Sequence, residues 1–151
     1  MKLEELKKTK DIELLDKFSN SKILLERITV SLNENCSIEI LDKLSYDKSL
    51  KVLTNVIYHP NCTDFILERL YYNFHLKYDF IWCIREAILT TENCPASILK
   101  DLTGDESFNL LNVVIKNKNC QIFILKKIYK RFVSLKDKVT AHPNWKFSEF
   151  E

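Results

Sequence analysis

The sequence predicts an all-α protein, a solenoid of about five helix pairs with a period of about 26 residues. Two observations lead to this fold class. The 151 residues include one glycine and three prolines, which leaves little material for hairpins and sheets. An Asn-Cys pair followed by an Ile-Leu pair also recurs along the chain. Short helical units cannot bury an apolar face alone, so we expect them to stack.

The repeat is clearest when the chain is aligned on its cysteines. The aligned segments read NENCSIEILDKL, HPNCTDFILERL, TENCPASILKDL and NKNCQIFILKKI, and the column holds Cys36, Cys62, Cys94 and Cys120. Trp145 continues the column in HPNWKFSEF, and Lys10 precedes it next to DIELLDKFS. We expect one domain over 1–151, with a degenerate repeat (1–20), repeats over 21–45, 46–78, 79–104 and 105–129, and a truncated capping repeat (130–151).

The second half of each repeat predicts a short amphipathic helix, helix B. Apolar residues recur four, five and eight positions after the cysteine column, which is the stripe of a helix with one buried face. They are Ile40, Leu41, Leu44, Ile66, Leu67, Leu70, Ile98, Leu99, Leu102, Ile124, Leu125 and Ile128. Extra residues around YYNFHLK are expected to lengthen helix B of the second repeat. Trp145, Phe147 and Phe150 are expected to close the end of the core.

The first half of each repeat predicts another helix, helix A. Fifteen positions before the column stand good helix-capping residues, Ser21, Asp47, Asp79 and Asp105. The position six before the column is always β-branched, and the position twelve before it is always apolar. Proline in the HPN segments is expected to end helix A, and the Asn before each column position suits a tight turn because Asn tolerates left-handed geometry.

These features resemble the leucine-rich repeat variant and, more broadly, HEAT-type α-solenoids. The resemblance rests on the Asp, the Glu26-Arg27 and Ile84-Arg85 pairs, the HPNC or ENCP segment and the Ile-Leu stripe, and it covers almost the whole chain. It implies a right-handed superhelix of helix pairs that serves as an interaction surface without activity of its own. Leu53 and Leu111 depart from the pattern, because they stand where the family has Arg.

The HPNC segment at 59–62 suggests a metal site or a nucleophile. His59 and Cys62 have the separation of paired zinc ligands, and a thiol beside a histidine at a helix start can be reactive. The other cysteines of the column have no such histidine, so the sequence favours a small, half-buried structural residue. We expect no metal, no cofactor and no enzymatic activity. DNA-repair glycosylases built on HEAT-like repeats are a remote alternative, but the sequence has no catalytic constellation beyond the isolated Asp79 and Trp82.

The charge distribution points to the C-terminal repeats. Residues 106–151 carry a net charge of +5, against −1 for 1–45 and −2 for 46–105. Four basic residues are predicted to project from one broad face of the fourth helix B. They are Lys126, Lys127, Lys130 and Arg131. Such a face can bind phosphate or an acidic protein surface, or it can serve only as a solvated face that keeps the chain soluble.

Three aromatic residues are candidate anchors for a partner: Phe65 and Phe123, which share a column, and Tyr72. The leading hypothesis is a non-enzymatic scaffold, of adaptor or inhibitor type, that binds another protein with an acidic surface patch. The alternative is nucleic-acid binding through the C-terminal basic repeats. No apolar run approaches the about 18 residues of a membrane span, and the start lacks a signal-peptide block, so we expect a cytoplasmic protein without membrane contact.

Overall fold

The computed structural model describes residues 3–72, 81–102 and 108–145, and every regular element within these ranges is helical, as the composition predicts. The helices are α1 (Leu3–Lys8), α2 (Ile12–Ser19), α3 (Leu24–Ser31), α4 (Ile38–Leu44), α5 (Leu50–Ile57), α6 (Asp64–Tyr72), α7 (Ile81–Thr90), α8 (Ala96–Asp101), α9 (Phe108–Lys116), α10 (Ile122–Arg131) and α11 (Lys136–Thr140), with a 3₁₀ turn (Val133–Leu135) before α11. Asp79, Asp105, Phe147, Phe150 and the insertion around 73–77 lie outside the described residues.

Contacts divide the chain into two compact units, 1–87 and 88–151, with the boundary inside α7. In the first unit, α3 packs against α1, α2 and α5, and α4 packs against α2, α3 and α5. In this unit, helices therefore pack against their neighbours in the chain and also against the helix after next. In the second unit, α10 packs against the 3₁₀ turn and α11.

The apolar stripe of helix B is buried in α4, α6, α8 and α10, which confirms the prediction. All twelve residues of the stripe are at most 3% exposed. The β-branched residues six before the column are also fully buried: Val30, Val56, Ile88, Val114 and Val139. The cysteine column is buried rather than half-buried, because it lies two residues before helix B. The core therefore follows the repeat register.

The first turn of helix A is different from the rest of that helix. Four residues twelve before the column are 44–76% exposed, because they occupy the first or second position of their helices. They are Leu24, Trp82, Phe108 and Val133. Leu50, the fifth member of this column, is half-buried, so the column lies mostly at the surface.

The expected caps of helix A are wrong for the two described positions. Helix α3 begins at Leu24 and α5 at Leu50, three residues after Ser21 and Asp47. Ser21 and Asp47 instead accept the backbone amide two residues later in the chain, at 3.0 and 2.8 Å, as in Asx-type turns.

Side-chain caps occur at helix B of the first unit, one position after the column. Asp11 Oδ1 accepts the Leu14 amide at 3.0 Å, and Ser37 Oγ accepts the Ile40 amide at 3.4 Å. Each bond satisfies an amide that the helix itself leaves unpaired. The stretch before the helix A start therefore forms turns, and the stretch before helix B forms the caps.

The left-handed backbone that we expect at the Asn of the turn between helix A and helix B is not observed. No described residue has a positive φ. The Asn before the column instead donates its side-chain amide to carbonyl oxygens about one repeat earlier. Asn61 reaches the Cys36 carbonyl at 3.0 Å, and Asn144 reaches the Cys120 carbonyl at 3.0 Å. Asn is therefore needed for a bond between successive turns.

Candidate interaction surfaces

The HPNC segment forms the turn before α6, and both ring nitrogens of His59 are engaged in it. The Asn61 amide donates to His59 Nδ1 at 3.1 Å, so the proton of the neutral ring is on Nε2. That N–H donates to the Asn33 carbonyl oxygen at 2.9 Å. The ring is buried, and no lone pair remains for a metal or for a neighbouring thiol. His59 is a structural residue.

The same hydrogen-bond pattern recurs in the second unit, at one turn with histidine and at another turn with asparagine. Nδ1 of His142 accepts the Asn144 amide at 3.0 Å, and its Nε2 donates to the Asn117 carbonyl oxygen at 3.0 Å. Asn117 in turn accepts the Asn119 amide on Oδ1 at 2.9 Å and donates from Nδ2 to two earlier carbonyls, one of them that of Leu89 at 2.7 Å. Histidine and asparagine both offer one acceptor and one donor here, so either can hold the turn.

The Cys62 thiol is unsuited to nucleophilic chemistry. Burial raises its pKa to about 12, and the Asp64 carboxylate adds to the rise. Burial raises the pKa of Cys36 and Cys120 to about 12 as well. Within the described ranges, no three His, Cys, Asp or Glu side chains form a group that could hold a metal ion.

One face of α6 forms a candidate surface in the first unit. Phe65, Glu68, Arg69 and Tyr72 are three or four residues apart, so they lie on the same side of the helix. They line an open depression of about 200 Å³. Phe65 is 67% exposed and Tyr72 is 51% exposed. The structure therefore brings two of the predicted anchors together.

Arg69 is fixed at this depression. Its Nη1 donates to Asp42 Oδ1 at 2.5 Å, and its Nη2 donates to the Asp42 carbonyl oxygen at 3.4 Å and to Ser45 Oγ. The guanidinium carbon lies 4.4 Å from the ring centre of Tyr46 and 5.4 Å from that of Phe65, within cation–π range. We call Tyr46, Phe65, Arg69 and Tyr72 the aromatic surface.

The sequence reasoning did not identify Tyr46 or Arg69, although the register contains a signal for Arg69. An acidic residue six positions after one member of the cysteine column pairs with a basic residue seven positions after the next member of the column. Asp42 and Arg69 form one such ion pair, and Asp16 and Lys43 form another. The exposed Tyr46 stands at the same distance after Cys36 as Tyr72 after Cys62, and this shared column could have identified it.

The outward side of α10 forms a second candidate surface, in the second unit. Lys127, Lys130 and Arg131 are exposed, and Phe123 is 46% exposed. Lys126 is half-buried, so the predicted broad face of four bases is narrower. We call Phe123, Lys127, Lys130 and Arg131 the basic surface.

The repeat register explains why Lys127 does not repeat the ion pair that Arg69 makes with Asp42. Lys127 is the counterpart of Arg69, and the counterpart of Asp42 is Lys100. The register therefore places a second base where α6 meets an acid. The outward side of α10 keeps its positive charge as a result.

Two rings flank the basic surface. The Arg131 guanidinium carbon lies 5.3 Å from the ring centre of Phe132. Phe132 makes an edge contact with Phe108, with the centroids 6.0 Å apart, and Phe108 is itself exposed. Sequence reasoning missed both rings. Phe108 belongs to the exposed apolar column at the start of helix A, which could have identified it.

The seven predicted site residues thus fall in two units of opposite charge. Phe65 and Tyr72 belong to 1–87, whose described residues include eleven basic and thirteen acidic side chains. The other five belong to 88–151, whose described residues include nine basic and three acidic side chains.

Comparison of the chain with protein-family models, with curated proteins and with solved structures gave no match. None of the described helices has the length and apolar character that crossing a membrane requires.

Proposed function

We propose that the protein is a non-enzymatic scaffold of adaptor or inhibitor type, which binds another protein in the cytoplasm through its aromatic surface. We also propose that its helix pairs form a right-handed α-solenoid of about five repeats, related to the leucine-rich repeat variant and HEAT-type families. In this proposal, the outward residues of helix B make the contact with the partner.

Hydrogen bonds that recur with the repeat support the proposed architecture. In the first unit, His59 and Asn61 bond carbonyl groups 25 to 27 residues earlier, and in the second unit His142 and Asn144 do the same at 24 to 26 residues. Bonds of constant separation are expected when identical turns stack on one another.

The observation that carries the functional proposal is the composition of the aromatic surface. Tyrosine, phenylalanine and arginine are enriched at protein interfaces, and tyrosine and arginine are among the residues that carry most of the binding energy there. Arg69 is already fixed by Asp42, so a partner would meet a rigid surface with little ordering cost. The depression between Phe65 and Tyr72 has room for one apolar side chain of the partner.

A comparison of affinity captures tests this proposal. Native lysate is passed over the wild-type chain, over Phe65→Ala/Tyr72→Ala, and over the matched control Leu32→Ala/Ile38→Ala. The control removes exposed apolar side chains that do not line the depression. We expect a stoichiometric protein that the wild type and the control retain, that Phe65→Ala/Tyr72→Ala loses, and that rebinds in purified form. Equal capture by all three chains, or no stoichiometric protein, would contradict the proposal.

A further inference from the structure

The basic surface of α10 has a composition unlike that of a protein-binding surface. Lys127 and Lys130 make up half of it, and lysine is depleted in the cores of protein interfaces, where arginine and tyrosine are enriched. The described part of 88–151 has three times as many bases as acids, nine against three. A dense, lysine-rich charge of this kind matches a ligand whose negative charge is spread along a chain.

Aromatic rings are interleaved with these charges. Phe123 lies four residues before Lys127 on α10, so both occupy the same side of the helix. At the other end of α10, Arg131 lies over Phe132, which contacts the exposed Phe108. Exposed ring faces close to cations are the features that bind unstacked bases beside a phosphate backbone.

From this arrangement we infer that the basic surface binds single-stranded nucleic acid, with Lys127 and Lys130 contacting phosphates and with Phe108 and Phe123 stacking against bases. Arg131 adds positive charge. Its guanidinium lies over the ring of Phe132, which in turn contacts Phe108. Stacking on a side chain requires a base whose face is accessible. A duplex hides these faces, so its bases leave the rings unused. This function is independent of the protein contact proposed for the aromatic surface.

Fluorescence anisotropy tests the inference with three probes: a labelled oligo-dT of about 20 nucleotides, a duplex of the same length and a labelled poly-glutamate. We expect the wild type to bind oligo-dT most tightly. With Lys127, Lys130 and Arg131 each neutralising one phosphate, the slope of log affinity against log salt is about −2, so affinity falls roughly 20-fold between about 50 and 200 mM salt. Tighter binding of the duplex or equal binding of poly-glutamate would overturn the inference, and so would the absence of binding at low salt.

Two variants separate the roles of charge and rings. Lys127→Glu/Lys130→Glu/Arg131→Glu should abolish oligo-dT binding. Phe108→Ala/Phe123→Ala should weaken it by about fivefold or more for each ring while leaving the salt slope unchanged. An unchanged affinity of the ring variant would overturn the stacking role and favour an acidic protein as the ligand. Thermal unfolding by circular dichroism checks that each variant is folded.

The matched control is Lys10→Glu/Lys22→Glu/Lys48→Glu. It makes the same change in net charge at three exposed lysines that belong to the first unit and lie between its helices. We expect it to retain oligo-dT binding within about twofold. An equal loss in the control would show that net charge alone drives binding, which overturns the assignment to α10.

Discussion

Helices α6 and α10 occupy equivalent places in the repeat, and they agree mainly on their buried sides. Each carries an Ile-Leu pair and a third apolar residue that are almost fully buried. On the outward side both begin with phenylalanine, Phe65 and Phe123. After it, Arg69 and Tyr72 of α6 correspond to Lys127 and Lys130 of α10. The repeat constrains the positions that pack, while the outward positions differ enough to serve different ligands.

The difference has a local physical cause. Arg69 meets the carboxylate of Asp42 one repeat earlier, which fixes the guanidinium against two rings. Lys127 has Lys100 at the equivalent position, so a second base stands where Arg69 meets a carboxylate. The residue at this place in the preceding helix B, Asp42 or Lys100, therefore decides whether the base meets an acid of the same chain.

The largest expected effect concerns the cysteines that precede the two helices. Burial raises the pKa of Cys62 and Cys120 to about 12, so near pH 8 their thiolate fraction is about a thousandfold below that of a thiol at the ordinary 9.0. Cys83 is exposed. A pulse of iodoacetamide followed by mass spectrometry should label Cys83 first and protect Cys62 and Cys120 equally. Rapid labelling of Cys62 would restore the hypothesis of a reactive thiol.

The next effect tests the shared core. Ile66→Ala and Ile124→Ala should each lower the free energy of unfolding by about 2–5 kcal/mol, since both side chains are fully buried in the same column. Urea denaturation followed by circular dichroism measures both. The exposed Ile38→Ala is the control, with an expected change within about 0.5 kcal/mol. A negligible loss for either core variant would contradict the shared register.

A smaller effect is expected in the turns before the two helices, where His59 precedes α6 and Asn117 precedes α10. Alanine at either position leaves buried backbone groups unpaired and should cost about 1–3 kcal/mol of unfolding free energy. His59→Asn should cost less than His59→Ala, because Asn117 shows that asparagine can make the same bonds. Chemical denaturation of the three variants gives the comparison. If His59→Asn were as damaging as His59→Ala, the two residues would not be equivalent.

The smallest effect compares Arg69 with Lys127. Arg69→Ala should lower the unfolding free energy by about 1 kcal/mol, because its partner Asp42 is partly exposed and solvent screens the pair. Lys127→Ala should change it by less than about 0.5 kcal/mol, because the residue is exposed. Equal losses in thermal or urea unfolding would show that α6 and α10 do not differ in this way.

The sequence was sufficient to predict the helical class and the core. Apolar periodicity reports directly which side of a helix packs, so it predicted the buried stripe from Ile40 to Ile128. The repeat register likewise explained why the column cysteines are structural. The single domain, the number of repeats and the relation to known repeat families stay predictions.

Details that depend on contacts between repeats could not be predicted. Asp47 has the chemistry of a cap, but it lies three residues before its helix and pairs with Arg27 of the preceding repeat. Asn61 and Asn144 bond the preceding turn, which no local propensity reports. Tyr46 joins the aromatic surface only because Arg69 of the following helix B reaches it.

The most direct test of the difference between α6 and α10 is a crossed binding measurement. Phe65→Ala/Tyr72→Ala and Lys127→Glu/Lys130→Glu/Arg131→Glu are each assayed for the captured protein and for oligo-dT. The predicted result is that the first variant loses only the protein and the second loses only the oligonucleotide. Loss of both ligands in both variants would contradict the account, because it would mean that the two surfaces act as one site.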